Sequence, residues 1–523
     1  MNKNYLLPAS DQVGRTSEGA SHHGALHFPK CDAPEELLRP YPAYKDSGVP
    51  WLGDVPAHWE VLPGRACYRE KKVPNTGLKE TTVLSLSYGQ IVVKPPEKLH
   101  GLVPASFETY QIVDPGDIII RPTDLQHDWN SLRFGLSRHR GIITSAYMCF
   151  HTQDALTRDY GHLLLHTYDL MKIFYGLGSG LRQNLDWTDF KYLPCLAPPL
   201  PEQRSIAAFL DAHDRLTRRY IHAQQRLIKL LTEQKQALIQ QAVTRGLDPN
   251  VPLKDSGIPW LGKIPAHWGV VSLGHITIKR CDGPFGSSLK STHYTNKGVR
   301  VVRLQNIGAA NFRNDDVAYI SPEYYATLGD HNVLPGDLLV AGLGDNRIPA
   351  GRACVAPADI EPAMVKADCF RFRLDRNQLD PQFTAYHLSA TANIASAMLS
   401  TGATRQRINL QSTSARAIAL PPLHEQENIV QAIGDLIRPI DVAISHTHRQ
   451  IALVREYRTR LIADVVTGKL DVRGFEVGRT SESASHLEDA AWEDLDDEET
   501  GDSLDDLDVD ADIDESSNLN ELI

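Results

Sequence analysis

Residues 45–61 read KDSGVPWLGDVPAHWEV, and residues 254–270 read KDSGIPWLGKIPAHWGV. Thirteen of the seventeen positions are identical, the pairs Trp51/Trp260 and Trp59/Trp268 included. A second pair of landmarks follows in the same order: Pro198-Pro199-Leu200-Pro201-Glu202-Gln203 and Pro421-Pro422-Leu423-His424-Glu425-Gln426. Between the landmarks the two halves diverge. A repeated framework with unlike inserts presents two different surfaces on one kind of mount. Pro50, Pro56, Pro259 and Pro265 fix φ and forbid a continuous helix. Each copy is therefore expected to be an ordered connector whose aromatic rings pack into a core rather than stack on a ligand.

The Pro-Pro-Leu-x-Glu-Gln segments are helix entrances, with Pro tolerated at the start and an acid in the first turn. From Glu202 to Thr244 there is no Pro or Gly. Apolar residues recur at alternating three and four spacing: Leu210, Ile221, Ile228, Leu231, Leu238 and Ala242. The second half repeats the seam with Ile433, Ile437, Ile440, Ile444, Ile451, Val454, Leu461 and Val465, and Thr217, Gln224, Thr447 and Arg458 interrupt the two rows. Each helix should run about 40 residues, or roughly 60 Å. The same residue offset at both ends predicts two helices of equal length. A heptad seam of that length is expected to pack as an antiparallel coiled coil.

Residues 62–195 and 271–417 pattern as mixed α/β, with strands expected at 82–86, 118–120, 299–304, 338–340 and 369–374. Each insert carries a Pro-Gly-Asp turn before an apolar strand, at Pro115-Gly116-Asp117 and Pro335-Gly336-Asp337. Each ends near an Arg-Gln pair, Arg182-Gln183 and Arg405-Gln406. The two inserts are thus expected to share a fold while differing in sequence.

The whole chain has 523 residues and a net charge of −11. That figure hides an asymmetry. The last 43 residues hold 18 Asp and Glu and no Lys or Arg, leaving 47 acidic against 54 basic residues before Ser481, a net of +7. A mildly basic body suits a phosphate backbone, and the acidic tail is expected to be a solvated, disordered extension. Residues 13–22 and 477–486 also nearly repeat each other. No apolar run is long enough to span a membrane, and residues 1–12 lack the core of a signal peptide, so a cytoplasmic protein is expected. Seven dispersed cysteines, at 31, 67, 149, 195, 281, 354 and 369, fit reduced structural thiols rather than disulfides or zinc.

Catalytic signatures are missing from the sequence. There is no Gly-x4-Gly-Lys-Ser/Thr phosphate loop and no Asn/Asp-Pro-Pro-aromatic methyltransferase motif. Gly176-Leu177-Gly178-Ser179-Gly180 lacks the strand-turn-helix frame of a nucleotide loop, and the histidines show no metal spacing. A non-catalytic chain is expected.

The order of connector, insert and Pro-Pro-Leu-x-Glu-Gln helix, given twice, resembles the DNA-specificity subunit of type I restriction-modification systems. Gly283-Pro284-Phe285-Gly286-Ser287-Ser288-Leu289-Lys290, residues 298–303 (GVRVVR) with Asn306-Ile307, and residues 138–147 (RHRGIITSAY) carry the same likeness, which covers roughly residues 40–475. It implies an α/β fold plus long helices: two α/β target-recognition domains separated by an antiparallel two-helix coiled coil, with a pseudo-twofold internal repeat. The expected order is a disordered extension (1–37), a connector (38–61), recognition domain 1 (62–195), a spacer helix (196–246), a second connector (247–270), recognition domain 2 (271–417), a second spacer helix (418–475) and the acidic tail (476–523). The resemblance further implies double-stranded DNA, two modification (methyltransferase) subunits and restriction (translocase-nuclease) subunits as partners. S-adenosylmethionine, ATP and Mg would then belong to those partners, with none bound by this chain. The acidic tail departs from the family pattern.

Reading bases takes Arg or Lys on guanine and Asn or Gln on adenine, while Lys, Arg and backbone N–H groups hold phosphates. The candidates in the first domain are Arg121, Asn130, Arg133, Arg138, Arg140, Arg182 and Gln183. In the second they are Ser287, Ser288, Lys290, Arg300, Arg303, Asn306, Arg347, Arg405 and Gln406. The competing reading, from a different class, is a structural scaffold or regulator that joins partner proteins without reading DNA.

Overall fold

The computed structural model describes residues 39–95, 106–128, 132–177, 183–285, 288–345, 347–394 and 406–475. The expected N-terminal extension, the acidic tail and both copies of the VGRTSE repeat lie outside the described residues. Two compact units emerge, Met1–Arg215 with Tyr457–Thr480, and Leu216–Glu456 with Ser481–Ile523. No described helix is long and apolar enough to cross a membrane.

In the first unit the connector is a hairpin, Tyr44–Asp46 antiparallel to Asp54–Pro56. Asp46 Oδ1 accepts the Gly48 amide at 2.8 Å, a local turn that Asp-Ser-Gly sequences favour. Strand Glu60–Pro63 then pairs with Pro194–Ala197, so the strand that launches the insert lies against the one that returns from it. The insert is built on a four-stranded antiparallel sheet in the order Tyr68–Lys71, Met148–Thr152, Ile118–Ile120, Phe134–Leu136. Ile118 and Ile120 face one buried cluster with Phe134 and Phe150, and Ile119 faces another with Val113, Ile143 and Cys149. Burial on both faces explains the unbroken apolar run of this strand. Helix α1 (Arg158–Leu170), capped by Thr157, lays Tyr160, Leu164, Leu165 and Tyr168 into the first cluster.

The second unit repeats this plan. Its hairpin is Leu253–Asp255 with Lys263–Pro265, and Gly269–Ser272 pairs with Ala417–Leu420. The four-stranded sheet runs Thr277–Cys281, Cys369–Leu374, Leu338–Ala341, Ala353–Val355. A five-stranded sheet lies over the other face, ordered Tyr294–Thr295, Tyr319–Ile320, Val299–Val302, Ala363–Val365, Asn332–Val333. Its counterpart in the first insert is smaller: Gln111–Val113 pairs antiparallel with Gly141–Ile143, and Val83 bridges Ile142 in parallel, as Val299–Val302 lies parallel to Ala363–Val365. The segments expected as strands at 82–86, 118–120, 299–304, 338–340 and 369–374 all contain one.

The long helices are α2 (Leu200–Arg245, 46 residues) and α4 (Leu423–Val466, 44 residues). They start in register, but α4 ends earlier than equal length requires. Its terminating glycine, Gly468, stands one position earlier than the counterpart of Gly246. Both adopt left-handed φ, +79° and +75°, where a side chain would be strained. A Cβ on Gly468 would also lie 2.4 Å from Pro56 Cδ and 3.0 Å from the Trp59 ring. In the second unit the two helices run antiparallel. Lys235 contacts Asp441, and Tyr220 Oη lies 3.5 Å from Gln450. Ile433, Ile440, Ile451 and Val454 are buried along the seam. Thr217 and Thr447, expected to break the seam, are buried in it at 6% and 4% exposure. Thr447 satisfies its hydroxyl by donating to the Ala443 carbonyl at 2.8 Å.

The Glu-Gln pair at the head of each long helix is the joint. Trp59 Nε1 donates to Glu202 Oε1 at 2.9 Å, Tyr41 Oη donates to the same oxygen at 2.6 Å, and His58 Nε2 lies 2.8 Å from Oε2. In the second unit Trp268 Nε1 donates to Glu425 Oε1 at 3.0 Å and His267 Nε2 lies 2.8 Å from Oε2. The connectors are therefore packed core, with both Trp59 and Trp268 at 0% exposure. The neighbouring glutamine grips the insert instead. Gln203 accepts the Thr157 amide at 2.7 Å and donates to the Ala155 and Pro198 carbonyls. Gln426 accepts the Asp380 amide at 2.8 Å and donates to the Gln378 and Pro421 carbonyls. Thr157 and Asp380 are the N-caps of α1 and of α3 (Pro381–Ala390).

Replacing Gln426 by Ala strands three backbone groups, one buried and two part-buried. Gln426→Ala should lower stability by about 2 to 4 kcal/mol, because each stranded group keeps its desolvation cost. Urea unfolding of the full chain checks this, and a change under about 0.5 kcal/mol would remove Gln426 from the joint.

Candidate nucleic-acid interface

Loops that connect the sheets carry most of the predicted site residues, and buried arginines shape them. A loop must satisfy its backbone carbonyls without a strand or helix ladder. Arg133, predicted to touch DNA, is 0% exposed and does this work instead. Its Nη1 donates to the Thr123 carbonyl at 2.6 Å, and its Nη2 to the Asp124 and Asp128 carbonyls at 3.2 and 2.7 Å. It thereby fixes residues 121–128. Leu185 N donates to the Pro122 carbonyl at 2.9 Å, and Asn184 Oδ1 accepts the Asp124 amide. Arg121 and Gln183 are thus brought to the same loop pair, and Arg121 is steered by Asp128 at 3.2 Å. Arg138 and Arg140 stand exposed on another edge, with Arg140 tethered to Asp114 and Glu80. Asn130 and Arg182 lie outside the described residues.

The second domain shows the same division of labour. Asn306, predicted as a base reader, is 0% exposed. Its Nδ2 donates to the Arg313 and Asp316 carbonyls at 3.0 and 2.8 Å, and its Oδ1 accepts the Arg303 amide at 2.9 Å. Arg303 forms a two-pronged pair with Asp316, and Arg300 reaches Asn314 at 2.6 Å and the Asp316 carbonyl at 3.0 Å. Arg300, Arg303 and Asn306 therefore build the 303–316 loop rather than project from it. Ser287 and Arg405 lie outside the described residues.

Ser288, Lys290, Arg347 and Gln406 remain at the surface or near it. Lys290 and Ser288 are exposed at the end of the 282–290 segment. The Ser288 carbonyl accepts the Tyr324 hydroxyl at 2.6 Å. Gly283 lets this segment cross the chain closely: a Cβ there would sit 2.0 Å from the Lys366 carbonyl carbon. Leu343–Gly344 pairs with Gln406–Arg407, and Gln406 Oε1 accepts the Ala350 amide at 3.3 Å. Arg347 is exposed in the turn between, where Asp345 Oδ1 accepts the Arg347 amide at 2.7 Å. Asp368 joins the two groups of loops, since its amide donates to Asp282 Oδ1 at 3.0 Å and its carboxylate takes Arg407 at 3.1 Å.

Sequence reasoning missed Asp282, Asp368, Arg407 and two buried organisers, Arg352 and Arg416. Arg352 donates to the Ile307, Leu343, Pro349 and Leu304 carbonyls. Arg416 donates to the Gly351 and Leu388 carbonyls and to Thr391 Oγ1. Burial pulls their guanidinium pKa values down to about 10 and about 9, so both stay cationic at neutral pH. No local motif marks them. The signal available is an isolated Arg beside a glycine or just before an apolar strand.

Burial, and secondarily the charge of Asp368, pushes the Asp282 carboxyl up to about 6. A carboxyl whose pKa is raised by folding favours the folded state while protonated, and that contribution is lost as pH rises from about 4 to about 6. The Asp282→Asn protein should therefore gain stability relative to wild type across that window, read from urea midpoints at pH 4 and pH 7. A difference that does not move with pH would overturn this assignment.

The comparisons with known proteins agree with this geometry. The family described as type I restriction modification DNA specificity domain matches residues 267–451. The MjaX specificity subunit of Methanocaldococcus jannaschii is 27% identical over 292 residues, which is 56% of this chain and 63% of that protein. The alignment thus spans under two thirds of that relative's length. The type I restriction enzyme MjaVIII specificity subunit of the same organism is 24% identical over 365 residues, 68% of this chain and 81% of its own. A solved chain from a type I restriction-modification system superposes with a TM-score of 0.58 at 16% identity, covering 80% of this chain and 99% of that one, and so shares its fold. Residues 267–451 thus match the type I restriction modification DNA specificity domain, and over a longer span the chain is similar to type I restriction enzyme specificity subunits.

Proposed function

We propose that this chain is the non-catalytic recognition subunit of a type I restriction-modification complex. Its two α/β domains each read one half of a split duplex site, related by a pseudo-twofold repeat. Helices α2 and α4 act as an antiparallel coiled-coil spacer that sets the unread gap between half-sites. The single observation that carries this reading is the duplicated joint. The same Trp, Glu and Gln contacts seat two inserts whose exposed loops differ.

The long helices also support docking of partner subunits. Leu227, Leu230, Leu436, Val442 and Leu453 are exposed between 43% and 64%, outside the buried seam. Such residues suit apolar helices of two methyltransferase subunits. S-adenosylmethionine, ATP and Mg would be held by those methyltransferase and restriction subunits, in a cytoplasmic complex.

Exchange of residues 62–195 for the corresponding domain of another specificity subunit should change one half-site of the methylated sequence and leave the other intact. Removing seven residues, about two turns, from the middle of α2 should alter the spacer while both half-sites persist. Methylome sequencing of cells carrying each variant reads both outcomes. Loss of both half-sites on exchange, or an altered half-site on shortening, would sink the modular reading and favour a scaffold.

Side chains at the surface should separate from those that build loops. Lys290→Ala or Arg138→Ala should weaken DNA binding by the assembled complex and reduce the salt slope by about 1, with unfolding unchanged. Arg133→Met should instead lower stability. The reverse pattern would show that the exposed basic residues are not the DNA-facing ones.

A further inference from the structure

Each four-stranded sheet carries cations on the face opposite its α1- or α3-packed core, and the two units neutralise them differently. In the first unit Lys71 stands directly across the ladder from Cys149. Lys71 Nζ donates to Asp114 Oδ2 at 2.8 Å and also to Asp117. The second unit is superimposable in pairing. Leu338 faces Phe372 as Ile118 faces Phe150. Leu334 N donates to Asp337 Oδ2 at 2.8 Å just as Asp114 N donates to Asp117 Oδ2 at 2.8 Å. By this register Arg371 takes the place of Cys149, Cys281 the place of Lys71, and Asp337 the place of Asp117. Leu334 replaces Asp114, so one carboxylate is lost.

The remaining carboxylate is already spent. Arg373 Nε and Nη2 donate to Asp337 Oδ1 and Oδ2 at 2.9 and 2.8 Å. Arg371 is 0% exposed. Among the described residues, no oxygen acceptor reaches its Nε, Nη1 or Nη2. It lies across the ladder from Cys281 on one side and Leu339 on the other. Burial pushes the Cys281 thiol up, and the charge of Arg371 and its hydrogen bond to the thiol only partly offset this, so Cys281 stays neutral and supplies no counter-charge. Burial likewise raises the nearby Tyr325 hydroxyl. A guanidinium does not shed its proton in a protein, and a buried unpaired charge costs several kcal/mol. The first unit shows what is missing, which is one negative charge.

We propose that Arg371 is the receptor for a small monovalent inorganic anion, chloride, which takes the place of the carboxylate that Asp114 supplies in the first unit. A monovalent ion supplies the single negative charge that this guanidinium lacks. The Cys281 thiol is a weak donor that can point at the same ion.

Amide exchange of the Cys369–Leu374 strand, followed by mass spectrometry on the full chain, tests this. Sodium chloride is compared with sodium gluconate at equal ionic strength. At ten times its dissociation constant, chloride should slow exchange of this strand by about tenfold. Arg371→Met removes the charge, and Cys281→Asp places a carboxylate directly across the ladder. Both variants should exchange equally in the two salts. Wild-type exchange that ignores the anion overturns the proposal, as does chloride protection that survives in Arg371→Met. Should Arg371→Met fail to fold, chloride protection persisting in Cys281→Asp overturns it as well.

Discussion

One carboxylate at the head of each long helix organises the molecule around it. Glu202 and Glu425 sit in the first turns of α2 and α4, where the helix N-terminus favours negative charge. Each receives an indole N–H from a buried tryptophan and faces a histidine. An indole has one donor and no acceptor, so burying it fixes where the acceptor must be. The connector is thereby held to a definite point on the helix. The following glutamine, one residue on, holds the insert at the N-cap of α1 or α3. Two adjacent side chains thus bind the two things that must keep a fixed relation within each unit, the connector and the insert.

The two inserts solve a different problem. Their loops are long and lack ladders of their own, so their carbonyls need donors from elsewhere. Arg133, Arg352 and Arg416 supply them, several carbonyls each, from buried positions. Buried guanidinium groups bound to neutral carbonyls remain charged. They add positive potential beneath the exposed loops while spending none of their own donors on a ligand. Stiff loops with separate exposed cations suit recognition of a duplex, because less ordering has to occur on binding. In the second insert the Asp282–Asp368–Arg407 chain of contacts serves the same end. These are the regions where the two halves share least sequence.

Much of this was legible beforehand. The Pro-Trp connectors, the helix entrances and the Pro-Gly-Asp turns are governed by local rules, namely fixed φ, capping and turn geometry. They appeared where expected. The seam interruptions read less well. Thr217 and Thr447 looked polar, yet a threonine in a helix can return its hydroxyl to its own backbone and enter an apolar seam, as Thr447 does. The site residues split for a related reason. Arg133 and Arg138 are the same residue type five positions apart, and one is fully buried while the other is exposed. Nothing in their immediate neighbours separates them.

The sequence by itself determined the duplication, the two long helices with their starts, and the α/β character of both inserts, because these follow from repeats, periodicity and turn chemistry within short windows. The tertiary structure alone decided which cations face solvent and which carry the loops. That choice depends on carbonyls and carboxylates contributed by strands far away in the chain. It also decided how the interior charges balance. Asp117 and Asp337 occupy the same place in the two sheets, and only the packed strands show that one meets Lys71 and the other Arg373.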